Sequence, residues 1–514
     1  MKNVTPYVHQ LLDSGNFEDA RKFVIDLLGG SNGSKKGLSL FHQVNLNCLL
    51  IDIGCDTSNE EDIERAIIFF VDNEHELKKV ITISSYYYNL ANAKKELGKI
   101  YYNKNKGVHS ISSCREKFQE PINLYWLAYK NVCTADTFFN EILINLSNAL
   151  MMNFRIVEAL QMLDTVLKDN PKFPQALISR GENLNCLSLI TNCSVSIALY
   201  AQIYLSYEKG IESGILPPDI LRNSLHAKDE ATKKMLSYNS STKDIETEIE
   251  DSRKEYEQHS DYRKFCIDNF LTLNEHSLYC NCVATSKDEL QIGNSYAVFR
   301  GEALPKLELL LNRIKSEYAF ARWNYYKSFT EEAFDYDVIF SELFEDEVIN
   351  SQSEALRASF RICYGILDKI ALGICKLYKV EGGNIYFERF WDDKSRKEIL
   401  EKQRNIHLNA LSSIANDLNT QRGELKYFKN WRNKLEHNLL ILQRKPRVNI
   451  DAYNILEDKD FIVAVDINEF RQKTIHLLQL TRAAVFSFVY CTRLETITNN
   501  DPAKTPTITI GTKY

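Results

Sequence analysis

Arg432, Asn433 and His437 stand together in one short stretch, WRNKLEHN at 431–438. A guanidinium carries a permanent charge in a planar fork that fits phosphate oxygens. An imidazole, with an ordinary pKa of about 6.5, can give or take a proton at neutral pH. These groups suit cleavage of a phosphodiester that brings its own nucleophile, the 2′-hydroxyl of RNA. One proton must leave that hydroxyl, one must reach the departing 5′-oxygen, and charge must be stabilised around phosphorus. Asn433 and His437 are four positions apart and share a helix face. Arg432 lies about 140° round from His437, so its long side chain must fold back to join them. Ordinary surface chemistry also accounts for the group: Arg432 pairs with Glu436 at i+4, worth about 0.3–0.5 kcal/mol, and His437 is solvated.

Spacing alone does not choose between these readings. Arg and His four to six residues apart occur three times, at Arg253–His259, Arg432–His437 and Arg471–His476, where chance places about one. Context separates them. Arg253 lies in a polar stretch with no scaffold, and Arg471 opens a long helix beside Glu469 and Lys473. Only Arg432 is followed at once by Asn433, on a short helix between two long ones.

The elements that must position this stretch are helical. Apolar residues recur at i, i+3 and i+4 in LPKLELLLNRIKSEYAFARWNYYKSF, EALRASFRICYGILDKIALGICKLY and SRKEILEKQRNIHLNALSSIANDLN. LKYFKNWRNKLEHNLLIL and DINEFRQKTIHLLQLTRAAVFSFVYCTRLE complete five helices across 304–495. VEGGNIYFERFW (380–391) and RVNIDAYNILEDKDFIVAVD (447–466) read as small extended inserts. Beyond Glu495 the tail, 496–514, loses helical period and reads as mobile.

The first 230 residues are organised differently. YYYNLANAKKELG at 86–98 and LINLSNALMMNF at 143–154 share the core N-L-[AS]-N-A. Large residues alternate there with Ala, which lets helices lie close. The second phrase leads into VEALQMLDTVLKDNP and then PQALISRGENL. That order resembles a tetratricopeptide repeat, with KNKGVHSISSCREKFQEP (104–121) as an insertion between units. A polar connector and a short mixed segment, 231–303 with charge-dense flanks from 227, join the two halves. Its helix is expected to break at Tyr238–Thr242.

Composition narrows the function classes. With 514 residues the chain holds two or three domains. The 63 basic and 69 acidic residues leave a net charge of -6, which implies no general affinity for nucleic acid or anionic membrane. The start, MKNVTPYVHQLLDSGN, has no signal-peptide core, and RAAVFSFVYC is too short to span a bilayer. Twelve cysteines without a C-x-x-C fit the reduced thiols of a cytoplasmic protein. His276, Cys280 and Cys282 in NEHSLYCNC form the closest ligand cluster, but no second pair accompanies them, so no metal is expected. P-loop, dinucleotide and G-x-S-x-G signatures are missing, as is an acidic cluster spaced for two metals.

Taken in order, SEYAFARWNYY (316–326), YGILDKIALGICKLY (364–378), WRNKLEHN and LLQLTRAAVFSFVY (477–490) resemble the HEPN superfamily, in the branch fused behind tetratricopeptide-like repeats. Its motif is R-x4-6-H, commonly with Asn after the Arg, matched by Arg432, Asn433 and His437. The resemblance implies an all-α fold: tetratricopeptide-like helical repeats followed by a HEPN helical bundle with small extended inserts. It implies a metal-independent endoribonuclease without cofactors, acting on RNA as a homodimer whose twofold axis brings two motifs to one cleft. Asp368, on the helix that packs near the motif, and Glu436 are its supporting carboxylates. The wider role expected is a toxin-like antiphage defence effector, with a protein or phage-derived activator bound at the repeats. The rival is a non-catalytic helical scaffold or adaptor that dimerises through the same bundle.

Overall fold

The computed structural model describes residues 4–29, 38–105, 111–133, 138–190, 197–214, 216–238, 251, 254–292, 306–330, 347–380, 385–444 and 461–499. They fold into helices and one two-stranded sheet. The chain divides into two compact units: Met1–Phe154, Met162–Gly181 and Ser206–Lys228 form the first, and Arg155–Gln161, Glu182–Leu205 and Asp229–Tyr514 the second. The expected break at Tyr238–Thr242 falls almost wholly outside the described residues, and so do residues 500–514 of the tail.

In the first unit helix follows helix: α1 (Val4–Asp13), α2 (Phe17–Leu27), α3 (Leu40–Thr57), α4 (Glu60–Asp72), α5 (Glu74–Val80), α6 (Ile83–Lys104), α7 (Ile111–Lys130) and α8 (Phe138–Met152). Side-chain caps fix several starts, where Ser39, Asn59 and Thr82 accept orphan backbone N–H groups. Packing follows chain order, α2 on α3, α3 on α4, α6 on α7 and α7 on α8. α3 is apolar on two faces. Leu46, Leu49, Leu50 and Ile53 join Val8, Ala20 and Val24, whereas Val44 and Ile51 join Ile63, Phe70, Tyr86 and Leu90. Gly98 lets α6 meet α7, since a Cβ there would lie 2.7 Å from a ring carbon of Phe118.

The two repeated phrases touch. Lys95 Nζ donates to Asn145 Oδ1 at 2.9 Å, and Asn145 Nδ2 donates to the Tyr88 hydroxyl at 2.8 Å. The segment expected as an insertion, 104–121, is in its described part the first half of α7 from Ile111 onward. Ile111, Cys114 and Phe118 are buried at helical spacing, which holds the helix through Pro121. Among the described residues α9 (Ile156–Asp169), α10 (Pro174–Ile190), α11 (Ile197–Glu212) and α12 (Pro218–Ser237) follow.

The second unit is built on three long helices, α14 (Lys306–Thr330), α15 (Ser351–Tyr378) and α20 (Ile467–Asn499), with the short α13 (Asp261–Asp268) before them. α15 packs along both α14 and α20. Tyr318, Ala321, Arg322 and Tyr325 supply the buried stripe of α14 at i, i+3, i+4 and i+7. α20 runs through to Asn499, past the residue where the apolar period fades. The stretch 395–419, expected as one helix, is two: α17 (Lys394–Leu400) and α18 (Ile406–Leu418). Asn405 is extended between them and caps His407, which starts α18 afresh. Residues 387–390, expected as extended, form one helical turn, α16 (Phe387–Phe390).

Nearly all of α18 is buried, including His407, Asn409, Ser413, Asn416 and Asp417. Such a helix needs polar partners. Arg155, wholly buried, donates to Ser413 Oγ at 3.1 Å and Asp417 Oδ2 at 2.7 Å, and its other edge clasps Glu158 at 2.6 and 2.8 Å. His407 is bonded to the backbone of Ile190 and packs on Tyr490, while its buried Nε2 has no partner among the described residues.

Residues 269–292 contain little beyond two 3-10 turns, Glu275–Leu278 and Val283–Ser286. Buried arginines pin them to the bundle. Arg322 binds Leu271 O and the Asp288 carboxylate, and Arg482 binds Thr272 O and Ser277 Oγ. Arg493 binds Glu275 at 2.8 and 2.9 Å and Ile292 O at 3.2 Å. Among the described residues no helix is long and apolar enough to cross a membrane.

Candidate active site

The short helix α19 (Tyr427–His437) is held by one face of aromatic rings. Phe428 and Trp431, three positions apart and buried, meet Phe360 of α15 at 6.1 and 6.2 Å between ring centres. Trp431 also packs on Phe470 of α20 at 5.3 Å, and Phe428 on His476 at 5.6 Å. Burying such rings contributes about 1.5–3 kcal/mol each. This aromatic wedge fixes the roll of the helix. Lys429, Asn433, Glu436 and His437 therefore lie away from the wedge, and Arg432, four positions after Phe428, stands at its border.

α19 ends at His437 and the chain passes through extended Asn438 into β1 (Leu439–Gln443). β1 pairs in parallel with β2 (Ile462–Asp466), in the register Leu439↔Ile462 to Gln443↔Asp466. β2 comes from the second expected extended insert. Val348 N–H reaches Leu442 O at 2.7 Å on the other side of β1. Asp466 then accepts the N–H groups of Asn468 and Glu469 and starts α20. His437 is thus set at a junction braced on both sides. In its bonded orientation the Asn438 amide donates to His437 O at 2.6 Å and accepts from Lys434 Nζ at 3.2 Å.

The side chains on this face divide into two groups. Lys429, although buried, is neutralised: its Nζ lies 2.7 Å from Glu388 Oε1 on α16 and over the Tyr386 ring. Arg432 and Asn433 are half-buried, and Glu436 and His437 are exposed. Among the described residues none of these four side chains has a hydrogen bond or ion pair. The i+4 pair of Arg432 with Glu436 is not formed. A half-buried guanidinium, an amide and an exposed imidazole, none of them bonded among the described residues, can each take a polar or anionic partner.

Asp368, on α15, lies within electrostatic reach of Arg432 without pairing to it. Its Oδ1 accepts the N–H of Phe387 at 2.9 Å, which begins α16. Burial raises its pKa above the ordinary carboxylate range, and Glu388 raises it further. The Phe387 N–H, Lys429 and Arg432 work the other way. Lys369, its chain neighbour, pairs with Glu317 of α14 at 3.0 Å. The Tyr364 hydroxyl, one turn before Asp368, is buried with no hydrogen-bond partner among the described residues, and burial pushes its pKa well up. Lys429, Glu388 and Tyr364 are neighbours that sequence reasoning missed. Lys429 could have been found, because it stands three and four positions before Arg432 and Asn433. Glu388 and Tyr364 carry no such local signal.

Residues 299–495, which include α14 to α19 and both strands, match the LA2681-like HEPN family. No curated protein and no solved structure gives a significant match to the chain. With an R-x4-6-H motif carried on a helix wedged between two long ones, residues 299–495 belong to the HEPN superfamily, as an LA2681-like HEPN domain.

Proposed function

We propose that this HEPN domain is a metal-independent endoribonuclease. Arg432 holds the phosphate and steadies charge on its oxygens as the 2′-hydroxyl attacks. His437 moves the proton, and Asn433 orients the imidazole or the substrate. One histidine serves one proton transfer at a time, so a second copy of the chain completes the cleft, its own His437 taking the opposite role. Asp368 acts on Arg432 through its field, and Glu436 borders the cleft. The helical repeats of the N-terminal half regulate access, with a protein or phage-derived activator as their ligand. In the cell the protein is a toxin-like antiphage effector, acting in the cytoplasm.

The observation that carries this reading is that Arg432, Asn433 and His437, on a well-braced helix, make no side-chain hydrogen bond or ion pair among the described residues. The test compares the unaltered chain with His437→Ala and Arg432→Ala, for cleavage of RNA without added divalent ions and for growth arrest on expression. Loss of both effects in variants that stay folded and dimeric supports the nuclease. If His437→Ala remains equally toxic and equally dimeric, the protein is a scaffold that dimerises through this bundle.

A further inference from the structure

His276, Cys280 and Cys282 look unpromising as a linear motif, since no second ligand pair accompanies them. Folding changes their standing. A ring nitrogen of His276 and the Sγ atoms of Cys280 and Cys282 all lie within 4.8 Å of one another. A tetrahedral zinc ion bound at about 2.3 Å to sulfur and about 2.0–2.1 Å to nitrogen spaces such donors about 3.5–3.8 Å apart, a contraction within reach of side-chain rotation. All three residues are half-buried, so an ion can enter and water can complete its shell.

Hydrogen bonds on both sides of the cluster hold the backbone that carries it. Asn274 Oδ1 takes the N–H of His276 at 2.9 Å, and His276 O takes the N–H of Cys280 at 2.9 Å. Thr285 donates to Cys282 O through both N–H and Oγ1, at 2.9 and 2.7 Å. Tyr279 rests its ring 4.9 Å from the imidazole. Glu275 and Ser277, on either side of His276, are the residues gripped by Arg493 and Arg482. The ligands are therefore preorganised by contacts that need no metal. Two thiols and an imidazole form a borderline-soft donor set, which selects zinc over magnesium or calcium. The site uses no residue of the α19 face.

We propose that His276, Cys280 and Cys282 bind one zinc ion with a fourth position open to water, closing the irregular segment 269–292 into a rigid piece of the second unit. Uptake releases the two thiol protons. The bound ion cross-links a segment that has few regular backbone hydrogen bonds of its own.

The test uses the full chain, reduced and stripped with chelator, then titrated with Co2+. The expected result is saturation at one equivalent, with sulfur-to-cobalt charge-transfer and tetrahedral d–d bands that Zn2+ abolishes, and a rise in melting temperature with Zn2+. Cys280→Ser/Cys282→Ser removes both, whereas Cys133→Ser, at an exposed thiol elsewhere, leaves both intact. His276→Asn, which keeps both thiols, shifts the bands and guards against a double variant that fails to fold. Absence of the bands in the unaltered chain, or their survival in the double variant, overturns the proposal. None of these readouts depends on RNA cleavage, so this site and the nuclease stand or fall separately.

Discussion

Two sets of arginines in the second unit have opposite surroundings. Arg155, Arg322, Arg482 and Arg493 are at most 5% exposed, and their guanidinium donors are spent on carboxylates, carbonyls and hydroxyls. Arg432, on the short helix between them in sequence, donates to nothing among the described residues. A buried cation must be paired or it unfolds its surroundings, so the first set is explained by folding alone. A half-exposed cation has no such requirement. On a helix fixed by Phe428 and Trp431, its fork is left without a partner among the described residues. Location in the same unit, then, does not give these arginines the same surroundings, and the difference lies in the state of their donors.

The sharpest break of this comparison is at Arg155. Arg155→Ala leaves Asp417 and Glu158 buried and uncompensated, and burial already raises Glu158 above the ordinary carboxylate range. Urea unfolding should show a loss of about 3–5 kcal/mol. The opposite pattern is expected at Arg432. Arg432→Ala and His437→Ala should each slow RNA cleavage at least ~100-fold, about 2.7 kcal/mol of transition-state stabilisation, with stability unchanged to within about 0.5 kcal/mol. An Arg432→Ala chain that melted as early as Arg155→Ala would erase the distinction.

A third test concerns His407, buried on α18, where loss of solvation holds the imidazole down at about 3, despite its bond to Ile190. Below about pH 6.5 the unfolded chain takes up a proton that the folded chain refuses. Stability therefore falls as pH drops from about 6.5 towards 3, by up to about 1.4 kcal/mol per unit. His407→Gln should flatten that slope by one proton when unfolding free energies are compared at pH 7 and 5. The smallest effect is expected at Glu436, which is exposed and makes no pair with Arg432. Glu436→Gln should move stability by less than about 0.5 kcal/mol, and a larger change would show that the pair forms in solution.

The periodic signal in the sequence determined the helices of the second unit well. α14, α15 and α20 are long, and their apolar residues repeat at the helical interval, a property of each chain segment by itself. Arg432, Asn433 and His437 are legible as a local motif because they lie within six residues of chain. Local pattern was weaker where a turn depends on a distant group. α16 forms because Asp368 reaches Phe387, and α18 begins at Asn405 because Tyr378, Cys491 and Glu495 hold that asparagine's amide.

Tertiary structure alone decided the partners. Nothing near Arg155 in sequence indicates Asp417, and nothing near Arg482 or Arg493 indicates the turn at 272–277. The spacing of His276, Cys280 and Cys282 is legible, but the convergence of their donor atoms depends on two arginines of α20 that clamp the backbone from outside. Periodicity reports which side of a helix must leave water, because that preference is carried by each residue. Which donor meets which acceptor is set only when segments far apart in the chain are buried together and every polar group among them has to be satisfied.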